Sequence, residues 1–178
     1  MNSMVIWLEG LSGAGKTTIG TGLSARLRKL GYPVIFLDGD HVRRGLSRDL
    51  GFSHRDRAEN IRRTAEVAKL IAADGALVVV AMITPLQTDR QLARQILNQL
   101  QFIEIFVDAP VDVCERRDPK GLYRKARRGK IPQFTGIDSG FEKPDSPEIH
   151  IDTVMLSEQQ SVDKIISSVA KLLPNNAG

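Results

Sequence analysis

The sequence predicts a doubly wound α/β domain: a five-stranded parallel sheet with helices on both faces. Three observations lead there. Apolar runs of strand length alternate five times with stretches patterned as helices. The third run, Ala76 to Met82, shows no polar alternation, as in a strand covered by helices on both sides. The first run ends in Gly10-Leu11-Ser12-Gly13-Ala14-Gly15-Lys16-Thr17, which fits G-x-x-x-x-G-K-[ST], the phosphate-binding P-loop pattern.

The first strand is Met4 to Leu8, and behind the loop Ile19, Leu23, Leu27 and Leu30 fall on one helix face. A strand, a glycine-rich turn and a helix N-terminus are what a phosphate cradle needs, because backbone N–H groups and the positive helix end then face the anion. Gly13, Ala14, Gly15, Lys16, Thr17 and Thr18 are therefore the expected ATP-binding residues. Lys16 can reach the β- and γ-phosphates, and the Thr17 hydroxyl can bind Mg²⁺.

Gly31-Tyr32-Pro33 stops the first helix. Val34 to Leu37 reads as a second buried strand, ending in Asp38-Gly39-Asp40. Two acids at a strand's carboxyl end suit Mg²⁺ or a proton-accepting role. They suit equally an Asp-Gly turn in which Asp40 caps the next helix. Ser53 is a candidate N-cap for a helix over residues 54–74, with Ile61, Ala65, Ala68 and Ile71 buried. Arg57 and Asn60 share a face of that helix and can act on one ligand.

The third strand leads into Ile83-Thr84-Pro85, and a helix is predicted from Thr88 to Leu100. The fourth strand, Phe102 to Asp108, ends in an acid that we read as structural. A short helix follows over residues 112–118. Residues 118–147 are irregular and basic, with Lys120, Arg124, Lys125, Arg127, Arg128 and Lys130, and are expected to form a lid over polyphosphate. A solvated helix from Leu122 to Arg128 with an ordinary loop accounts for them equally well. His150 to Thr153 is the last strand, and Ser157 to Leu173 the last helix.

The 178 residues suit one domain over 1–178, and 42% hydrophobic residues fit a globular chain. No run of about 18 apolar residues suggests a membrane span, and the first residues lack the pattern of a signal peptide. A single cysteine, Cys114, fits a reducing cytoplasm. The net charge of +4 suits small anionic ligands; it does not by itself exclude nucleic acid, but none is expected as a partner.

Taken in order, several segments resemble the adenylylsulfate kinase family. They are Gly10 to Thr18, Leu37 to Arg43, Gly45-Leu46 and Leu50 to Ser53. Arg57 to Arg63, Phe106 to Pro110, Asp118 to Arg127, Phe134 to Asp138 and Pro147 to His150 continue the series. The resemblance implies a P-loop kinase that uses ATP and Mg²⁺ to phosphorylate the 3′-hydroxyl of adenosine 5′-phosphosulfate. It assigns Asp40 to the hydroxyl proton and Asp38 with Thr17 to the metal. Arg43 and Arg57 would grip the phosphosulfate, and Asn60 would bond to it or to the ribose. Phe52 and Phe134 would stack on the adenine, Lys120 would steady the transferred group, and Ile83 with Thr84 would form pocket wall. A homodimer is expected from the family. Where many members carry Ser-Pro this chain has Thr84-Pro85, and Ser139-Gly140-Phe141 replaces a tyrosine-bearing segment. Two rivals are another small P-loop kinase, acting on a nucleoside monophosphate or sugar acid, and a non-catalytic ATP-binding regulator.

Overall fold

The computed structural model describes residues 3–173, so the predicted domain limits at 1 and 178 lie outside the described residues. In chain order the elements are β1 (Met4–Glu9), α1 (Lys16–Lys29), β2 (Val34–Asp38), α2 (Gly39–Arg44), α3 (His54–Ala73) and β3 (Leu77–Ala81). Then come α4 (Gln87–Ile96), β4 (Gln101–Asp108), α5 (Val111–Arg117), α6 (Leu122–Arg127), β5 (Ile149–Asp152) and α7 (Glu158–Val169). The strands form one parallel sheet in the order β2-β3-β1-β4-β5.

β1 is buried throughout. Its Met4, Ile6 and Leu8 join the core beneath Ile19, Leu23 and Leu27 of α1 and Val162, Ile165 and Val169 of α7. Its Val5 and Trp7 point the other way, against Ile61, Ala65, Ala68 and Ala72 of α3. The period-2 alternation of a strand thus feeds two separate cores. The chain moves from β1 outward to β2, returns to β3 and then crosses to β4, so the topological switch lies between β1 and β3. Ligands bind at the carboxyl ends of strands at such a crevice.

Some expectations change. β2 is an edge strand rather than a buried one, and Ile35 is 43% exposed, because an edge strand has a neighbour on one side only. Leu30 lies past the last turn of α1 and is exposed. Ala72, not Ile71, completes the buried stripe of α3. α4 ends at Ile96, with Leu97 to Leu100 in turns. The Ser53 cap is present, its hydroxyl accepting the Asp56 N–H, and such a cap contributes roughly 1 kcal/mol. The 118–147 segment contains α6, whose Tyr123 and Ala126 pack into the core beside Phe134.

Candidate active site

The carboxyl ends of β1, β2 and β3 open into a cavity of about 790 Å³. Its first wall is the P-loop. Gly10 has φ +146° and a Cβ there would lie 2.2 Å from the Val107 carbonyl oxygen; Gly13 has φ +77° and meets the Cys114 carbonyl at 2.9 Å. A side chain at Gly10 would force the loop off β4, and one at Gly13 would force it off α5. The loop then delivers the chain into α1, where Lys16, Thr17 and Thr18 form the first turn.

Lys16 does not stand free on a surface loop. It is buried, and its Nζ donates to the Leu11 carbonyl at 2.7 Å. Burial, reinforced by the nearby Lys120 ammonium, pulls its pKa down to about 8. The Thr17 hydroxyl donates to Asp38 Oδ2 at 2.7 Å, while Asp38 Oδ1 accepts the Asp40 N–H at 2.9 Å. Asp38 is therefore the cap of α2; Asp40 sits two residues further on, in the first turn of that helix, half-exposed and ion-paired with Lys120.

The far end of the cavity is built by α3 and the 118–147 segment. Arg57 is buried and donates Nε to the Phe52 carbonyl at 2.9 Å and an Nη2 proton to the Gln133 carbonyl at 2.8 Å. Burial lowers its pKa, as it does that of Arg43. Arg43 donates to the Gly51 carbonyl at 2.9 Å and lies over the Phe52 ring, 4.5 Å from its centroid. Asn60 is buried with its Oδ1 unpartnered. Phe134 is buried edge-on to Tyr123, while Phe52 is half-exposed.

The structure brings Gly13, Ala14, Gly15, Lys16, Thr17, Thr18, Asp38, Asp40, Arg43, Phe52, Arg57, Asn60, Ile83, Lys120 and Phe134 to this one cavity. Thr84 is the exception. It is fully buried away from the cavity, its hydroxyl accepting the Trp7 indole N–H at 2.9 Å. An indole N–H buried in the sheet needs an acceptor, and Thr84 supplies it. Of the six basic residues predicted to form the lid, only Lys120 reaches the cavity; Arg127 pairs with Glu115 instead. Asp108 lines a separate cavity of about 400 Å³ and lies 3.1 Å from His150 Nε2.

Arg117, Tyr123 and Thr153 escaped the sequence reading. Arg117 and Thr153 line the cavity, and all three side chains contact P-loop carbonyls. Nothing local marks them, since they lie 104, 111 and 139 residues from their partners. A buried cluster beneath the site was missed as well: Glu9 and Glu104 flank Arg90 at 3.8 and 3.6 Å. Here a signal existed, because a glutamate inside a run such as Phe-Ile-Glu-Ile-Phe interrupts a strand covered on both faces.

Residues 2–152 match the family model described as adenylylsulphate kinase. The chain is 52% identical to an adenylyl-sulfate kinase of Bacillus pumilus over 167 residues, covering 94% of this chain and 85% of that one. It is 55% identical to an adenylyl-sulfate kinase of Pseudomonas aeruginosa over 163 residues, covering 92% and 83%. It superposes with a TM-score of 0.92 on the Mycobacterium tuberculosis APS kinase solved in complex with AMPPNP and APS, at 43% identity and 95% and 98% coverage. The chain belongs to the adenylylsulphate kinase family.

Proposed function

We propose that this chain transfers the γ-phosphoryl group of ATP to the 3′-hydroxyl of adenosine 5′-phosphosulfate, giving ADP and 3′-phosphoadenosine 5′-phosphosulfate in sulfate activation. The observation that carries the reading is a single cavity with a P-loop at one end and Arg43, Phe52, Arg57, Asn60 and Phe134 at the other. A polyphosphate and an anionic purine nucleotide are the two ligands those ends suit.

In this reading the P-loop amides and Lys16 hold the ATP phosphates. Arg43 and Arg57 take the phosphosulfate, since a guanidinium offers a planar fork to tetrahedral oxyanions. Phe52 and Phe134 bracket the acceptor adenine, with Ile83 as wall and Asn60 Oδ1 free to accept a proton from the nucleotide. Asp40 orients the 3′-hydroxyl and receives its proton, and Lys120 moves from Asp40 to the transferred group. The Thr17 hydroxyl and Asp38 carboxylate are adjacent hard oxygen donors, which fits Mg²⁺ with phosphate and water as its other ligands. When bound, Mg²⁺ neutralises charge on the phosphoryl oxygens.

Among the described residues no helix is long and apolar enough to cross a membrane. The cytoplasm is our proposed compartment, supported by the lone buried Cys114. A homodimer of single-domain chains is the proposed assembly, checked by mass in solution. The activity is tested by coupled ADP release with adenylylsulfate, AMP, adenosine and gluconate as acceptors. Turnover with adenylylsulfate alone is expected; preference for gluconate or AMP would favour another P-loop kinase, and ADP without a phosphorylated acceptor would mark an ATPase or sensor.

A further inference from the structure

We infer that Tyr123 and Thr153 are positioning residues that aim the P-loop amides of Gly13 and Gly15 at the polyphosphate. The inference rests on the proposed assignment of that loop to ATP.

A trans peptide is planar, so its carbonyl and the following N–H point in opposite directions. Whatever grips a P-loop carbonyl from outside therefore sets the direction of the next amide. Tyr123 Oη donates to the Ser12 carbonyl at 2.9 Å, which fixes the Gly13 N–H. Thr153 Oγ1 donates to the Ala14 carbonyl at 2.9 Å, which fixes the Gly15 N–H. The Thr153 hydroxyl has a second carbonyl neighbour, that of Asp108 at 3.2 Å, but Ala14 is the nearer. Arg117 donates to the Thr153 hydroxyl oxygen at 3.0 Å and to the Thr153 carbonyl at 2.8 Å, so the hydroxyl's own proton is left for a carbonyl; Arg117 Nη1 also lies 3.5 Å from the Ala14 carbonyl, a longer contact than the Thr153 bond.

The amides behave accordingly. The Ala14 N–H turns back to the Leu11 carbonyl at 3.2 Å, while among the described residues neither Gly13 nor Gly15 donates to another backbone carbonyl. Both glycines line the cavity and have positive φ, 77° and 111°. Glycine backbone in that region has few intrinsic restraints. Without outside anchors, two of the amides that meet the anion would be free to swing. Tyr123 is also buried, and a phenol hydroxyl is not carried into a core without a partner that rewards it. A bland reading is that Ser12 merely satisfies that hydroxyl; it predicts a change in stability and none in phosphate affinity.

The test uses Mg²⁺-tripolyphosphate as probe for the loop and adenylylsulfate as probe for the far end, by calorimetry on the full chain. Tyr123→Phe keeps the ring against Phe134 and loses only the hydroxyl. Thr153→Val keeps the shape, and Thr153→Ser restores the donor. Tripolyphosphate affinity is expected to fall about tenfold in Tyr123→Phe and in Thr153→Val, and to return to within about twofold in Thr153→Ser. Adenylylsulfate affinity should stay within about twofold throughout. Wild-type tripolyphosphate affinity in both Tyr123→Phe and Thr153→Val overturns the inference, as does a parallel loss of adenylylsulfate binding. Failure of the unaltered protein to bind tripolyphosphate removes the P-loop assignment itself, a result distinct from either.

Discussion

Thr17 and Asp38 share a hydrogen bond of 2.7 Å between the end of the P-loop and the end of β2. The second oxygen of Asp38 caps α2 through the Asp40 N–H. One buried carboxylate thus sets the spacing between the phosphate cradle and the turn that presents Asp40 and Arg43.

Asp38→Asn separates the two roles of that carboxylate. Asparagine caps helices about as well as aspartate, so the melting temperature should move by only a few degrees. A neutral amide is a poorer partner for Mg²⁺ and its waters. The Mg²⁺ concentration for half-maximal turnover should rise about 10–100-fold. An unchanged Mg²⁺ requirement would leave Asp38 as a cap alone.

Lys16→Ala should lower turnover by at least about 10²-fold if, as proposed, the ammonium meets charge that grows in the transition state. The burial of Lys16 adds a pH dependence. With a pKa near 8 it loses its charge above that pH in the free protein, so ATP affinity should weaken as pH rises past about 8. The unfolded chain holds this proton up to the usual lysine range. Between about 8 and that range the unfolded state binds more protons, and the contribution of Lys16 to stability rises with pH. ATP titrations from pH 7 to 9.5 check the affinity. A wild-type slope retained in Lys16→Ala would assign the titration elsewhere.

Arg57 joins α3 to the 118–147 segment through two carbonyls in different directions. Arg57→Ala should weaken adenylylsulfate at least about tenfold while ATP changes by less than about threefold, with some loss of stability from the orphaned carbonyls. Arg57→Lys should not recover the affinity, since one ammonium does not reproduce the fork. Equal losses for both ligands would place Arg57 outside the acceptor site.

Much of this architecture is legible in the sequence because it is written in local patterns. The P-loop, the Ser53 cap and the uninterrupted Leu77 to Ala81 run each need only a few neighbouring residues to be recognised. What stayed hidden depends on strand order and distant pairing. Ile35 looks like a core residue until β2 is known to be an edge. Thr84 looks like pocket wall until Trp7, 77 residues away, claims its hydroxyl. Asp38 and Asp40 are both capping residue types in the sequence, and the Asp40 N–H donating to the Asp38 side chain decides between them.

Glu9 lies directly before the P-loop, fully buried, with both carboxylate oxygens lacking a hydrogen-bond partner. Burial outweighs the attraction of Arg90 and pushes its pKa up to about 9. Glu104 on β4 and Arg90 with Arg94 on α4 are the charged groups that face it. A folded pKa above the unfolded one means that stability is full below the unfolded value, 4.5, and is lost as pH rises toward about 9. Glu9→Gln needs no proton and can donate to Glu104 Oε1, which accepts no hydrogen bond. Its melting temperature should exceed wild type by a few degrees at pH 8.5 and match it at pH 5. A difference that does not change with pH would show that Glu9 does not titrate in this range.

The 3′-hydroxyl is a poor nucleophile at neutral pH, and in a loose transition state its proton leaves late. A carboxylate within hydrogen-bond reach orients the hydroxyl and takes that proton. Asp40 is half-exposed in the cavity, three residues before Arg43, so one turn presents both the proposed base and the proposed anion clamp. The structure removes its competing role, because Asp38 caps α2 and Asp40 contributes only its N–H. Its remaining partner is Lys120, and an exposed ion pair of this kind adds only about 0–1 kcal/mol to stability. Asp40→Asn therefore should leave the melting temperature within a few degrees while lowering turnover about 10²–10⁴-fold. ATP affinity, measured without acceptor, should change little. Lys120→Met should lower turnover, and the double variant should not regain it, if Lys120 leaves Asp40 for the transferred group as proposed. If Asp40→Asn keeps turnover within about threefold of wild type, proton transfer does not pass through Asp40.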